Sequence, residues 1–257
     1  GEAFDDLGSH FAMEDYHVLS MDSIDSDTVD NGVALHVKDV LWAKQQMWAP
    51  DANEKNGNYY LFFPAKDYEG VFRIGVAISN SPIGPFKAQL EAIKGSFSID
   101  PAVFKDDNED YYMYFGGLWG GQLQRWKTGV FNATQPDSPT AFIPNANEPA
   151  LLPFVAKMSD NLLEFAEEPK ELQILDENGQ LLKSGDTDRR FFEAAWMHKR
   201  NGLYYFSYST GDTHFICYAT GDNPYGPFTY KGRILNPVVG WTTHHSVCDV
   251  DGKTYLF

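Results

Sequence analysis

A chain of 257 residues, 43% hydrophobic and 15% aromatic, can bury one sizeable core. Its 36 acidic residues outnumber 20 basic ones for a net charge of −16, which argues against nucleic acid and against anionic membrane surfaces as partners. No stretch is apolar enough to span a bilayer and nothing at Gly1 reads as a signal peptide.

In chain order, the first readable element is EDYHVLSMDSI (14–24), a strand of a first unit. WAPDANEKNGNYYLFF (48–63) follows, with a short strand, an Asn56-Gly57 turn and an aromatic strand. IDPAVFKDDNEDYYMYF (99–115) runs the same course through Asp106-Asp107-Asn108. The third and fourth copies, FEAAWMHKRNGLYYFSYS (192–209) and HHSVCDVDGKTYLF (244–257), turn at Asn201-Gly202 and Asp251-Gly252. The aromatic strands are dense in the types that pack on pleated surfaces. VAISNSPIGPF (76–86) and YATGDNPYGPF (218–228) add a second recurring element, a strand closed by a Pro-x-Gly-Pro-Phe turn.

The aromatic strands begin at Tyr59, Tyr111, Tyr204 and Tyr255, with spacings of 52, 93 and 51. A period near 50 with one long insertion predicts β-propeller blades rather than shorter helical repeats, and no segment shows sustained helical apolar spacing. The alternative is a two-layer sandwich, which has no need of the polar residue that recurs ahead of each aromatic strand. The interval of about 120–190 breaks the period and is proline-rich and then acidic, as expected of an elaborated loop or extra hairpin inside a blade, lining or covering a site. The whole of 1–257 is thus expected to be one all-β propeller domain. Cys217 and Cys248 fall in predicted strands and are expected to be buried free thiols, two cysteines being too few for a disulfide framework.

Asp100, Glu193 and His244 each stand eleven positions before a strand tyrosine, with Ala49 at the matching place of the shorter copy, beside Trp48 and Asp51. In a radial fold, equivalent positions converge on the axis. Carboxylates there serve calcium ligation or paired acid–base work on a glycosidic bond. Glu193, between two phenylalanines and Ala194-Ala195-Trp196, has the apolar setting that raises a carboxyl pKa, and Asp100 is stiffened by Pro101. Strand-start capping is the alternative for both. Trp48 and Asp51 are candidates for sugar contact or strand-start packing. Trp119, in GGLWGGQ, could stack on a sugar ring. Arg190 could reach the cavity or form a surface ion pair. The glycines around Trp119 lack dinucleotide-loop spacing, so no organic cofactor is implied.

The set WAPD, SIDPAVF, FFEAAW and THHS, with the two GPF turns, resembles glycoside hydrolase family 43 over essentially the whole chain. The resemblance implies a five-bladed β-propeller that cleaves xylosides or arabinofuranosides of plant cell-wall carbohydrate with inversion. It matches Glu193 to the general acid, Asp100 to the carboxylate that orients the acid and modulates its pKa, and His244 to a central-cavity histidine that binds calcium. His245, adjacent, ranks second. It further implies secretion or periplasmic export, and a bacterial source. The family's general base is an Asp in an Asp-Pro pair heading the first blade. No Asp-Pro precedes Asp100, so the base is expected upstream of Gly1, and the first and last blades are expected to be incomplete; Asp5, Asp6 and Asp15 are the available acids. A sugar-binding propeller without catalysis is the competing function. Fructan-active propellers use differently worded motifs that do not occur here. Sugar identity, exo or endo action and oligomeric state have no marker in the sequence.

Overall fold

The computed structural model describes residues 11–135, 138, 140–237 and 243–257. Five sheets follow one another along the chain, antiparallel throughout except at one outer edge. The first pairs β1 (Asp15–Ser20) with β2 (Val29–His36). The second holds β3 (Ala43–Gln45), β4 (Asp51–Lys55), β5 (Asn58–Asp67), β6 (Phe72–Ser79) and β7 (Lys87–Ala88), with β3 and β4 sharing the same side of β5. The third holds β8 (Ala102–Lys105), β9 (Tyr111–Phe115), β10 (Phe154–Lys157) and β11 (Lys170–Glu171). The fourth runs β13 (Glu193–Arg200), β14 (Leu203–Ser209), β15 (Ile216–Gly221), β16 (Phe228–Leu235), with β12 (Ile174–Leu175) added parallel to β16 at the outer edge. The fifth pairs β17 (Val247–Val250) with β18 (Lys253–Leu256). The leading strands β4, β8, β13 and β17 touch one another in that order, which is the inner ring of a propeller. Each of the first and fifth sheets has two strands among the described residues.

Buried aromatic strands follow from this layering. In β9, Tyr111, Met113 and Phe115 pack towards the second sheet with Tyr60, Phe62 and Ile74, whereas Tyr112 and Tyr114 face the fourth with Phe206 and Phe228. A blade is covered on both sides, so successive side chains alternate between two cores and the whole strand reads as apolar. Three inner hairpins close on two-residue turns with both central residues left-handed: Asn56 (φ 54°) and Gly57 (φ 76°), Asn201 (φ 52°) and Gly202 (φ 78°), Asp251 (φ 50°) and Gly252 (φ 75°). That conformation fits the right-handed twist of the paired strands and selects Asn-Gly or Asp-Gly.

The long interval supplies the third sheet's outer strands β10 and β11 and the edge strand β12. The cysteines divide: Cys217 is buried, but Cys248 is exposed, contrary to the expectation of two buried thiols. Cys248 lies on β17 of the two-stranded fifth sheet, whose strands are exposed or half-buried throughout.

Candidate active site

Glu193 opens β13 after the buried pair Phe191 and Phe192. Here the ladder slips. Glu193 pairs with Ser209 but Trp196 pairs with Ser207, so three steps on one strand oppose two on the other. The extra residue is Ala194, left-handed at φ 57°. Such a bulge releases a backbone group from the ladder and re-aims it. The Ala194 N–H is donated to Oδ2 of Asp100, 2.8 Å away. Asp100 is itself left-handed (φ 55°), as is Ser98 two residues earlier (φ 64°). Non-glycine residues held this way store about 1–3 kcal/mol each and persist where surrounding contacts over-determine them.

The two carboxyls are buried, Asp100 at 4% exposure and Glu193 at 9%, and Glu193 feels the charge of Asp100. Burial, then the charge of Asp100, pushes Glu193 well above the usual carboxyl range. Its Oε1 is buried without a hydrogen-bond partner. Burial also raises Asp100, but His244 and the Ala194 N–H pull the other way. His244 Nε2 lies 3.7 Å from Asp100 Oδ2. The asymmetry assigns the proton: Asp100 has an imidazole neighbour and an amide donor for its charge, whereas Glu193 Oε1 has no partner, so Glu193 is the carboxyl that stays neutral.

The aromatic candidates gather nearby. Leu118 donates its N–H to the Phe192 carbonyl at 3.0 Å, and a Cβ at Gly117 would lie 3.4 Å from Cβ of Glu193. Trp119 meets Phe192 edge-on at 5.2 Å between centroids. Trp48 packs on Phe72 at 4.6 Å, and its carbonyl accepts from the Tyr16 hydroxyl. Tyr16 is a residue that sequence reasoning missed. Burial, then the charge of Asp100, raises its phenol well above the ordinary value, so it remains a neutral donor. Its only sequence signal is its place in the first strand segment, EDYHVLSMDSI.

Other candidates have partners of their own. Asp51 Oδ2 accepts from the Val103 N–H at 2.6 Å, bridging the second and third sheets, and burial pushes its carboxyl up to about 7. Arg190 is buried, with Nε donating to the Ser184 carbonyl at 3.1 Å and a terminal nitrogen 3.5 Å from Asp212. Its guanidinium lies over the Phe192 ring at 5.4 Å. His245 is buried with Nε2 2.7 Å from the Ser207 hydroxyl, and burial lowers it to about 3. Asp15 lies in β1, 4.0 Å from His17, while Asp5 and Asp6 lie outside the described residues. A cavity of about 730 Å³, lined by Gly185, Asp188, Arg189, Tyr230 and Arg233, sits at the edge of the fourth sheet and touches neither carboxylate. It has volume but no unpaired acid, so the chemistry points to Glu193 and Asp100.

Among the described residues no three His, Cys, Asp or Glu side chains are grouped to hold a metal. One imidazole beside one buried carboxylate does not make the cage of six to eight oxygens that calcium prefers. No chemical step is routed through a metal here.

Residues 29–138 match the profile of glycosyl hydrolases family 43. Over 258 residues the chain is 56% identical to a xylosidase/arabinosidase of Bacteroides ovatus, covering 100% of this chain and 78% of that one. The chain belongs to glycoside hydrolase family 43. A xylosidase/arabinosidase 43A of Humicola insolens is 58% identical to this family 43 glycosidase, over 99% of the chain and 79% of its own length. A solved β-xylosidase/α-arabinofuranosidase of the family from a compost metagenome, in complex with xylotriose and in calcium-free form, superposes on it with a TM-score of 0.94. The two are 64% identical, over 98% of this chain and 76% of that one. The family 43 propeller therefore carries Asp100, Glu193 and His244 on the leading strands, or the turns just before them, of its third, fourth and fifth blades respectively.

Proposed function

We propose that this enzyme removes xylosyl or arabinofuranosyl units from plant cell-wall polysaccharides or oligosaccharides with inversion at C1. Glu193 is the general acid. The observation that carries the assignment is a buried carboxyl oxygen without a partner, beside a second carboxylate that is hydrogen-bonded and next to a histidine. In this reading Glu193 gives its proton to the glycosidic oxygen as the C1–O bond breaks and the bonding pair stays with the leaving group. Water adds to C1 from the opposite face and loses its proton to a base. Asp100 orients the acid strand through Ala194 and keeps the acid protonated by like-charge repulsion. Trp48 and Trp119 supply the aromatic wall for the sugar, and Arg190 supports it from behind Phe192. The names of relatives that are 52% to 58% identical support the substrate class. So do solved relatives holding xylotriose and xylose.

Calcium enters only as a water-shelled ion beside the half-exposed His244, supported by the description of the compost enzyme as calcium-free; restoring calcium to chelated enzyme tests it. A bacterial source is supported by the bacterial relatives, and secretion or export to the periplasm is tested by cell fractionation.

Leaving-group dependence tests the acid. In Glu193→Gln, turnover of xylobiose should fall about 10²–10⁴-fold, and turnover of an activated aryl xyloside far less, since a nitrophenolate departs without a proton. Equal losses on both would remove Glu193 from the role.

A further inference from the structure

The loop Gly116–Gln122 is bound to three blades at once. Ser98, buried just ahead of Asp100, accepts from the Gly117 N–H at 2.9 Å and donates to the Gly121 carbonyl at 2.6 Å. Leu118 reaches the fourth blade through the Phe192 carbonyl. Gln122 reaches the second. Its Nε2 donates to the Gly70 carbonyl at 2.9 Å, and its Oε1 accepts from the Phe72 N–H at 3.0 Å. Gln122 is 8% exposed and left-handed at φ 67°, and both ends of its amide are spent on the turn between β5 and β6.

Trp48 occupies the space that this clamp defines. Phe72, whose amide Gln122 holds, packs on one side of the indole. Gly120, two residues before Gln122, touches the ring tip so closely that a Cβ there would come within 2.9 Å. The indole N–H is donated to the Phe11 carbonyl at 2.8 Å. A loop with four glycines in seven residues has little stiffness of its own. A buried two-point amide contact supplies it.

We propose that Gln122 is a positioning residue for glycoside hydrolysis. It locks the Gly116–Gln122 loop to the second blade and so fixes Trp48 as the wall against which the sugar sits beside Glu193. The inference rests on Trp48 as a sugar contact but not on which group delivers the proton. An error of about 1 Å in seating a substrate costs on the order of 100-fold in rate.

The test uses Gln122→Met, which keeps the side chain's length and removes both hydrogen bonds, and Gly120→Ala, an exposed position whose new methyl meets only the indole. Each is assayed on a nitrophenyl xyloside and on xylobiose, well below its own Tm. Gln122→Met should lose about 10–100-fold in kcat/KM on both substrates alike, because the sugar's seat is disturbed and not proton delivery. Gly120→Ala should raise KM on both with Tm nearly unchanged. Gln122→Met with a lowered Tm but kcat and KM within about twofold of the parent would make Gln122 purely structural and overturn the proposal. An unchanged KM in Gly120→Ala would overturn it too, and that variant decides where Gln122→Met does not fold. Equal losses in Glu193→Gln on the two substrates would strike the acid assignment alone and leave the Gln122 result standing.

Discussion

The Ala194 N–H and the Asp100 carboxylate are joined by a 2.8 Å hydrogen bond that crosses from the fourth blade to the third. It exists because a one-residue bulge takes Ala194 out of its own ladder, directly after Glu193, the proposed acid. In the proposed mechanism the acid and the group that tunes it are one mechanical unit, and disturbing either end should be legible in the pH profile.

Asp100→Asn should lower kcat/KM and move the basic limb of its pH profile to lower pH. The sign follows from the charges facing Glu193. Asp100 raises its pKa, so removing that charge lets Glu193 ionise, and lose its acid function, at lower pH. The His244 imidazole and the Tyr16 phenol, the other groups facing Asp100, stay in place. A rate loss with an unmoved basic limb would reduce Asp100 to a substrate-positioning role.

Asp51 offers a stability test away from the acid. Its carboxyl is pushed up from 3.8 to about 7 by burial, so the folded state holds the proton more tightly than the unfolded chain does. Its contribution is most favourable below about pH 4, and it is lost progressively as pH rises to about 7. Asp51→Asn keeps an acceptor for the Val103 N–H and carries no charge. Its Tm relative to the parent should therefore improve from pH 5 to pH 8, measured by thermal melts at several pH values. A constant difference would show that Asp51 does not titrate in this window.

Gly211→Ala tests the support behind the acid. Gly211 is left-handed at φ 72°, and a Cβ there would overlap the Phe192 ring. The backbone costs about 1–2 kcal/mol for an L-residue, and overpacking adds about 1–3 kcal/mol. Phe192 precedes Glu193 and packs on Trp119, so kcat/KM should fall together with Tm. A lowered Tm with unaltered kinetics would detach Phe192 from the site.

Much of the architecture is local information, and so it could be read along the chain. Asn-Gly and Asp-Gly at 56, 201 and 251 adopt the left-handed pair that only such residues take cheaply. YYLFF and YYMYF are apolar at every position because both faces of a blade are covered, and their recurrence near 50 residues marks the repeat. The regular offset of Asp100, Glu193 and His244 also pointed to one neighbourhood, and it holds Asp100 within 3.7 Å of His244.

That offset conceals unlike geometry, which only the tertiary structure decided. Asp100 reaches Tyr111 through a long turn in which the Asp106 N–H closes on the Asp110 carbonyl, whereas Glu193 reaches Tyr204 through a two-residue turn and a bulge. Equal spacing thus arises from different backbones. Nor could spacing reveal that Asp51 is occupied by Val103, that Tyr16 lies in the field of Asp100, or that Gln122 clamps a turn 50 residues earlier. Those facts depend on which backbone groups the packed blades leave unpaired. Turn chemistry and periodicity act within a few residues, but desolvation and the pairing of buried polar groups are settled only when distant strands meet.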